Sequence, residues 1–136
     1  MTTPPLARIL IVDDEGDLLQ VLQFVLEEEG YDVLTATNGA DALQLVSPDT
    51  VDLVILDMSM TKMSGFEVAQ QLRANEKTSR VAIAVHTGLP EDAVRARFSD
   101  YDVYMRKVDD VSVLVGAIRQ AIQKGRSRQV GNPQAN

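Results

Sequence analysis

Residues 8–30, RILIVDDEGDLLQVLQFVLEEEG, carry the pattern that decides the fold. The first five, RILIV, are apolar and rich in β-branched residues without polar alternation, as in a strand covered on both faces. The acidic turn DDEGD follows. Leu18, Leu22, Val25 and Leu26 then recur at helical spacing until Gly30 stops the helix. A buried strand that passes directly into an amphipathic helix is one βα unit.

Working outward, the same unit repeats. YDVLTA at 31–36, DLVIL at 52–56, VAIAV at 81–85 and DVYM at 102–105 read as four more strands. The second helix spans Asn38–Val46, with Asn38 as its N-cap. The third opens on Ser64-Gly-Phe-Glu67, a capping-box pattern, and turns Phe66, Ala69 and Leu72 or Val68 inward. The fourth starts at Pro90 and runs to about Phe98. The fifth buries Val111, Leu114, Val115, Ile118 and Ile122 and stops before Gly125. Five βα units in register give an α/β fold, a doubly wound parallel sheet with helices on both faces. Sheets of this kind place their chemistry beyond the carboxyl ends of the strands.

A chain of 136 residues, 45% apolar and 24% charged, fits one globular domain. No apolar run approaches the roughly 20 residues of a membrane span, and MTTPPLARIL lacks the basic start and apolar stretch of a secretory signal, so a cytoplasmic location is expected. The absence of cysteine excludes a disulfide framework, a thiolate metal site and a cysteine nucleophile, and the single His86 excludes a multi-histidine site. A net charge of −7 argues against direct binding of nucleic acid or an anionic membrane. Residues 7–124 are expected to form the domain, flanked by disordered segments 1–6 and 125–136. The latter, GRSRQVGNPQAN, is too short and polar to fold into a further domain, so any partner is expected to be another protein or a second copy of the chain in a homodimer.

The strand ends carry the functional signal. Asp13, Asp14 and Glu15 follow the first strand, Asp57 the third, Thr87 the fourth and Lys107 the fifth. Converging carboxylates repel one another unless a cation lies among them, and hard oxygen ligands suit Mg²⁺ or Mn²⁺. A lysine and a threonine beside them can hold phosphoryl oxygens, one as a point charge and one as a hydroxyl donor. Together these groups describe phosphoryl transfer to a carboxylate. Taken singly, each has a plainer reading: Asp13 and Asp14 as turn and cap residues, Thr87 as a strand-end threonine, Lys107 as a solvated lysine. Only the ordered set raises them above that.

The set, VDDE at 12–15, ILDMSMTKMSGFE at 55–67, VHTG at 85–88 and VYMRK at 103–107, resembles the CheY-like receiver domains of response regulators over residues 8 to about 124. The resemblance implies a flavodoxin-like sheet of order 2-1-3-4-5. It also implies that Asp57 is the phospho-acceptor. Asp14 and Asp57 would bind Mg²⁺ directly, Asp13 mainly through water, and the Ser59 backbone carbonyl would be a further ligand. Thr87 matches the hydroxyl that rotates toward the phosphoryl group, Lys107 the amine that pairs with it, and Tyr104 the aromatic switch that turns inward as Thr87 moves. The donor would be a histidine kinase or histidine phosphotransfer protein. A downstream protein would read the face of the fourth helix, fifth strand and fifth helix, where Arg95, Arg97, Arg106 and Arg119 lie. Such a protein is a switch and not an enzyme, catalysing only its own phosphorylation and dephosphorylation.

Three positions depart from the pattern. Val108 stands where the family usually has a cis proline after the lysine, so the Lys107–Val108 bond is either trans with a shifted loop or a strained cis bond. Thr61 replaces a proline after the acceptor, and FSDYD lacks the usual glycine before the fifth strand. His86 reads as a packed side chain, and Met58, Met60 and Met63 as adaptable loop packing. Two other functions fit less well. A flavin-mononucleotide binder would place a Ser/Thr/Gly-rich loop where DDEGD stands, and an aspartyl phosphatase would carry an acid where Ser59 stands. The closer alternative is an unphosphorylated pseudo-receiver that serves as a docking module, favoured if Lys107 is held away from the pocket.

Overall fold

The computed structural model describes residues 6–47 and 49–130. The elements are β1 (Arg8–Val12), α1 (Gly16–Glu28), β2 (Asp32–Ala36), α2 (Gly39–Leu45), β3 (Leu53–Leu56), α3 (Gly65–Ala74), β4 (Ala82–Thr87), α4 (Glu91–Arg95), β5 (Val103–Arg106) and α5 (Val111–Val130). The five strands form one sheet of order β2-β1-β3-β4-β5, every pair parallel. The expected doubly wound architecture and strand order are thus present.

Strand alternation divides the core in two. Ile9, Ile11, Leu53, Ile55, Ala82, Ala84 and Met105 point to one face, where they meet Leu19, Leu22 and Leu26 of α1 and Leu114, Ile118, Ala121 and Ile122 of α5. Leu10, Val12, Val54, Leu56, Ile83 and Val85 point to the other and pack on Ala42, Phe66, Val68, Ala69, Leu72 and Val94. Because side chains alternate with period two and both faces are covered, β3 is apolar throughout, as are Ile9–Val12 of β1 and Ala82–Val85 of β4.

The helix starts follow their caps. The Asn38 side chain accepts from Asp41 N–H and the Ser64 side chain from Glu67 N–H. Four details differ from the sequence reading. In α1 the buried stripe is Leu19, Leu22 and Leu26, with Leu18 and Val25 at its edge. Regular α4 ends at Arg95, and a turn in which the Val94 carbonyl accepts from both Arg97 N–H and Phe98 N–H carries the chain onward. In α5 Ala121 is buried and Val111 is not, since the inward stripe runs through Leu114 and Ile118 and leaves the first turn beside exposed Val108 and Val113.

The fourth correction concerns the ends of the domain. The fifth helix does not stop before Gly125 but continues to Val130. Gly125 is buried against β4, where a Cβ would lie 2.9 Å from Ala82 Cβ. Its role is close helix–sheet approach rather than helix termination. Arg126 Nη2 donates to the Leu6 carbonyl, and Leu6 N–H to the Gly30 carbonyl, so both ends expected to be disordered enter the fold. The expectations for residues 1–5 and 131–136 lie outside the described residues.

Candidate functional site

The carboxyl ends of β1, β3, β4 and β5 converge, and each delivers one or more polar groups. Asp13 and Asp57 directly follow the two central strands, and both are buried, with side chains 2% exposed. Asp14 is exposed beside them. One oxygen from each of the three carboxylates lies within 4.8 Å of the others. Asp57 Oδ1 accepts from Ser59 N–H at 3.0 Å, and Asp13 Oδ1 from Glu15 N–H at 2.9 Å.

Lys107 follows β5 and brings its Nζ to 3.2 Å from Asp13 Oδ2, Glu15 Oε1 and Asp57 Oδ2. The Lys107–Val108 bond is trans, there being no cis peptide among the described residues, so of the two possibilities the trans one holds. The amine reaches Asp57 all the same. Lys107 N–H donates to the Thr87 carbonyl, which aligns the end of β5 with that of β4.

Burial and charge set the protonation behaviour. Burial pushes the Asp13 carboxyl above the usual carboxylate range, and nearby Asp57 adds to this, while the Glu15 N–H and Lys107 pull the other way. For Lys107, burial is the largest influence and lowers its pKa. The combined attraction of Asp57 and Asp13 outweighs it and holds the amine protonated well above its ordinary range. Asp13 Oδ2 is buried with no hydrogen bond and only the ion pair with Lys107. A buried carboxylate oxygen without a hydrogen bond, in a cluster of three carboxylates, fits a hard divalent cation.

The remaining candidate residues are also placed. The Thr87 hydroxyl is buried and accepts from Leu89 N–H at 3.2 Å. The Tyr104 hydroxyl donates to the carbonyl of the same Leu89. Tyr104 is half-buried and lines an open cavity of about 450 Å³ with Leu89, Pro90, Glu91 and Arg106. Thr61, in the position of a proline, uses the N–H a proline lacks to donate to Asp14 Oδ2 at 3.3 Å. That bond ties the loop to the acidic pair. His86 is buried and faces the α1/α5 side of the sheet beside Met105, with Nε2 unbonded. Met58 and Met60 are buried packing groups.

Two contributors were not legible from residue type. Gly65 opens α3 directly against the Asp57 backbone: a Cβ there would lie 2.1 Å from the Asp57 carbonyl oxygen. Its only sequence trace is glycine after the Ser64 cap. Glu15 reads as one more acid of the turn, and nothing local signals its reach to a lysine 92 residues away. The arginine face is partly engaged within the chain. Arg95 pairs with Glu91 at 3.4 Å, Arg97 lies 3.9 Å from the Phe66 ring centre, and Arg119 lies 3.9 Å from Glu29.

The model of the response regulator receiver domain family matches residues 9–119. The chain belongs to that family. Receiver domains are modules of two-component systems in which Asp phosphorylation and Mg²⁺ binding are general features. The DNA-binding dual master transcriptional regulator RpaA of Synechocystis sp. is 32% identical over 119 residues, covering 86% of this receiver chain and 49% of RpaA. The alkaline phosphatase synthesis transcriptional regulatory protein PhoP of Bacillus subtilis is 46% identical over 66 residues, 48% of this chain and 28% of PhoP. The chain spans about half the length, or less, of these curated relatives. Among solved structures, a response regulator receiver domain protein from Clostridium thermocellum is 33% identical at a TM-score of 0.79, covering 89% of this chain and 98% of that one. The response regulator TrrA of Thermotoga maritima, in complex with Mg²⁺-BeF, is 34% identical at 0.76, with coverage of 85% and 99%. Among the described residues of the receiver no helix is long and apolar enough to cross a membrane.

Proposed function

We propose that this receiver accepts a phosphoryl group on Asp57 from a histidine kinase or a histidine phosphotransfer protein and changes its affinity for a downstream partner as a result. The observation that carries the reading is the buried Asp57 carboxylate, with Lys107 Nζ at 3.2 Å and two further carboxylates within metal-sharing distance. Asp14, Asp57 and the Ser59 carbonyl would hold Mg²⁺ directly and Asp13 mainly through water. The ion, when bound, offsets the charge on the transferring phosphoryl oxygens. Asp57 supplies the attacking oxygen, in line with the departing donor atom, and Lys107 faces the equatorial oxygens as a fixed positive charge.

The switch follows from the partners of Leu89. Rotation of the Thr87 hydroxyl toward a phosphoryl group on Asp57 would act on its bond from Leu89 N–H, and Tyr104 is bonded to the carbonyl of that same residue. Movement of the threonine and of the tyrosine therefore meet at one peptide segment. Phosphorylation favours whichever state lets Thr87 and Lys107 both reach the phosphoryl group. The readout surface is the α4–β5–α5 face.

A Lys107 held away from the pocket would favour the pseudo-receiver reading, and its 3.2 Å approach to Asp57 supports the phosphorylated reading instead. The deciding experiment is intact mass after incubation with acetyl phosphate and Mg²⁺. The expected result is a gain of one phosphoryl group, absent in Asp57→Asn and without metal. No gain in the unmodified chain, with Mg²⁺ binding demonstrated, would overturn the proposal in favour of a docking module.

A further inference from the structure

We infer that Glu15 is a positioning residue for Lys107, holding the amine at the mouth of the pocket while the other carboxylates serve the metal. This rests on the phosphorylation reading above. The side chain of Lys107 has little else to orient it. Its backbone is fixed by the bond to the Thr87 carbonyl, but the next residue, Val108, is 77% exposed, so packing does not hold that turn. What closes the turn is Asp109, whose N–H donates to the Arg106 carbonyl and whose carboxylate accepts from Arg106 N–H. Neither bond touches the lysine side chain. The ammonium has three donors and meets three carboxylates, those of Asp13, Glu15 and Asp57, each at 3.2 Å.

These three carboxylates differ in kind. Asp13 and Asp57 belong to the cluster that fits a divalent cation, and Glu15 does not. Once a cation draws on Asp13 and Asp57, their attraction for the amine weakens. Glu15 is then the one carboxylate among Lys107's three partners that stays fully available to it. Because Lys107 Nζ contacts Asp57 and Glu15 at the same time, the hold of Glu15 is compatible with the amine at the acceptor.

A second observation points the same way. Glu15 occupies the N-cap position of α1, yet its side chain makes no capping bond. Ser, Thr, Asp or Asn there would satisfy a free helix N–H, and Glu is not among the favoured caps. The helix start goes without a side-chain cap while the carboxylate reaches across to a lysine 92 residues away. Local preference set aside at a site edge is a mark of functional placement.

The test compares phosphorylation by acetyl phosphate in the unmodified chain, Glu15→Gln, Lys107→Gln and the double variant, all at saturating Mg²⁺. Glu15→Gln is expected to slow the reaction roughly three- to fivefold, the kinetic equivalent of one partly exposed ion pair. The slowing should vanish in the Lys107→Gln background, with Mg²⁺ affinity by calorimetry unchanged. Equal slowing in both backgrounds, faster phosphorylation, or a matching loss of Mg²⁺ affinity would each overturn the inference. The ammonium ¹⁵N resonance of Lys107 reads the pair without any chemistry: Glu15→Gln should shift it and speed its proton exchange in the Mg²⁺-loaded protein. An unchanged resonance sinks the positioning role even if phosphorylation proceeds. A shifted resonance in a chain that gains no mass would keep the pair and discard the phosphorylation reading.

Discussion

His86 shows how one side chain can tie stability to pH. It is buried in β4 with Nε2 unbonded, and burial holds its pKa below the ordinary histidine value of 6.5. Lys107 pushes the same way, while Asp57, Asp109 and Glu15 oppose it. Between the depressed native pKa and 6.5 the unfolded chain binds more protons than the native one, so stability rises with pH across that window and is flat above it. Urea unfolding from pH 5 to 8 is expected to show this slope in the unmodified protein and to lose that component in His86→Val. Identical pH profiles for the two would show that His86 does not titrate differently on folding. Gly65 makes the complementary point, since its missing side chain is what lets the start of α3 rest on the Asp57 backbone.

The fourth helix is the element with the least of its own to hold it. It has five residues, Pro90 gives its start no side-chain capping bond, and only Val94 is buried. Restraint comes from outside: the Tyr101 hydroxyl donates to Glu91 Oε2 at 2.6 Å, and Arg95 lies over the Tyr101 ring, 5.8 Å from its centre. Tyr101 lies within FSDYD, the segment that departs from the family pattern. Removing only the hydroxyl in Tyr101→Phe is expected to cost about 1 kcal/mol. Backbone hydrogen exchange should accelerate in residues 91–98 more than elsewhere. Uniform acceleration over the whole sheet would mean that Tyr101 supports the core and not α4.

At the scale of the whole molecule, folding gathers Asp13, Asp14 and Asp57 into one cluster, two of them buried. Lys107 offsets part of the repulsion between them, and a metal ion that binds only the folded form stabilises it further by mass action. Mg²⁺ is therefore expected to raise the thermal midpoint. The gain should approach about 2.7 kcal/mol at a hundredfold excess over its dissociation constant. Chelation should reverse the effect and Asp14→Asn should reduce it strongly. An equal shift in Asp14→Asn would locate the ion elsewhere.

The strands, the helix starts and the doubly wound class were fixed by local pattern. Apolar β-branched runs have few alternatives to a buried strand, and Asn38 and Ser64 cap helices through bonds that span three residues. Asp57, Lys107 and Thr87 were legible as strand-end groups, because a parallel sheet gathers those ends at one edge. Tertiary structure decided what depends on approach in space. Gly125 looked like a helix stop and instead seats α5 on Ala82, Glu15 looked like one acid among several and instead meets Lys107, and the Lys107–Val108 bond is trans with the amine still at Asp57. A sequence states which groups a residue carries. Which partner is within 3 Å depends on how two distant segments pack, and only the folded chain brings them together.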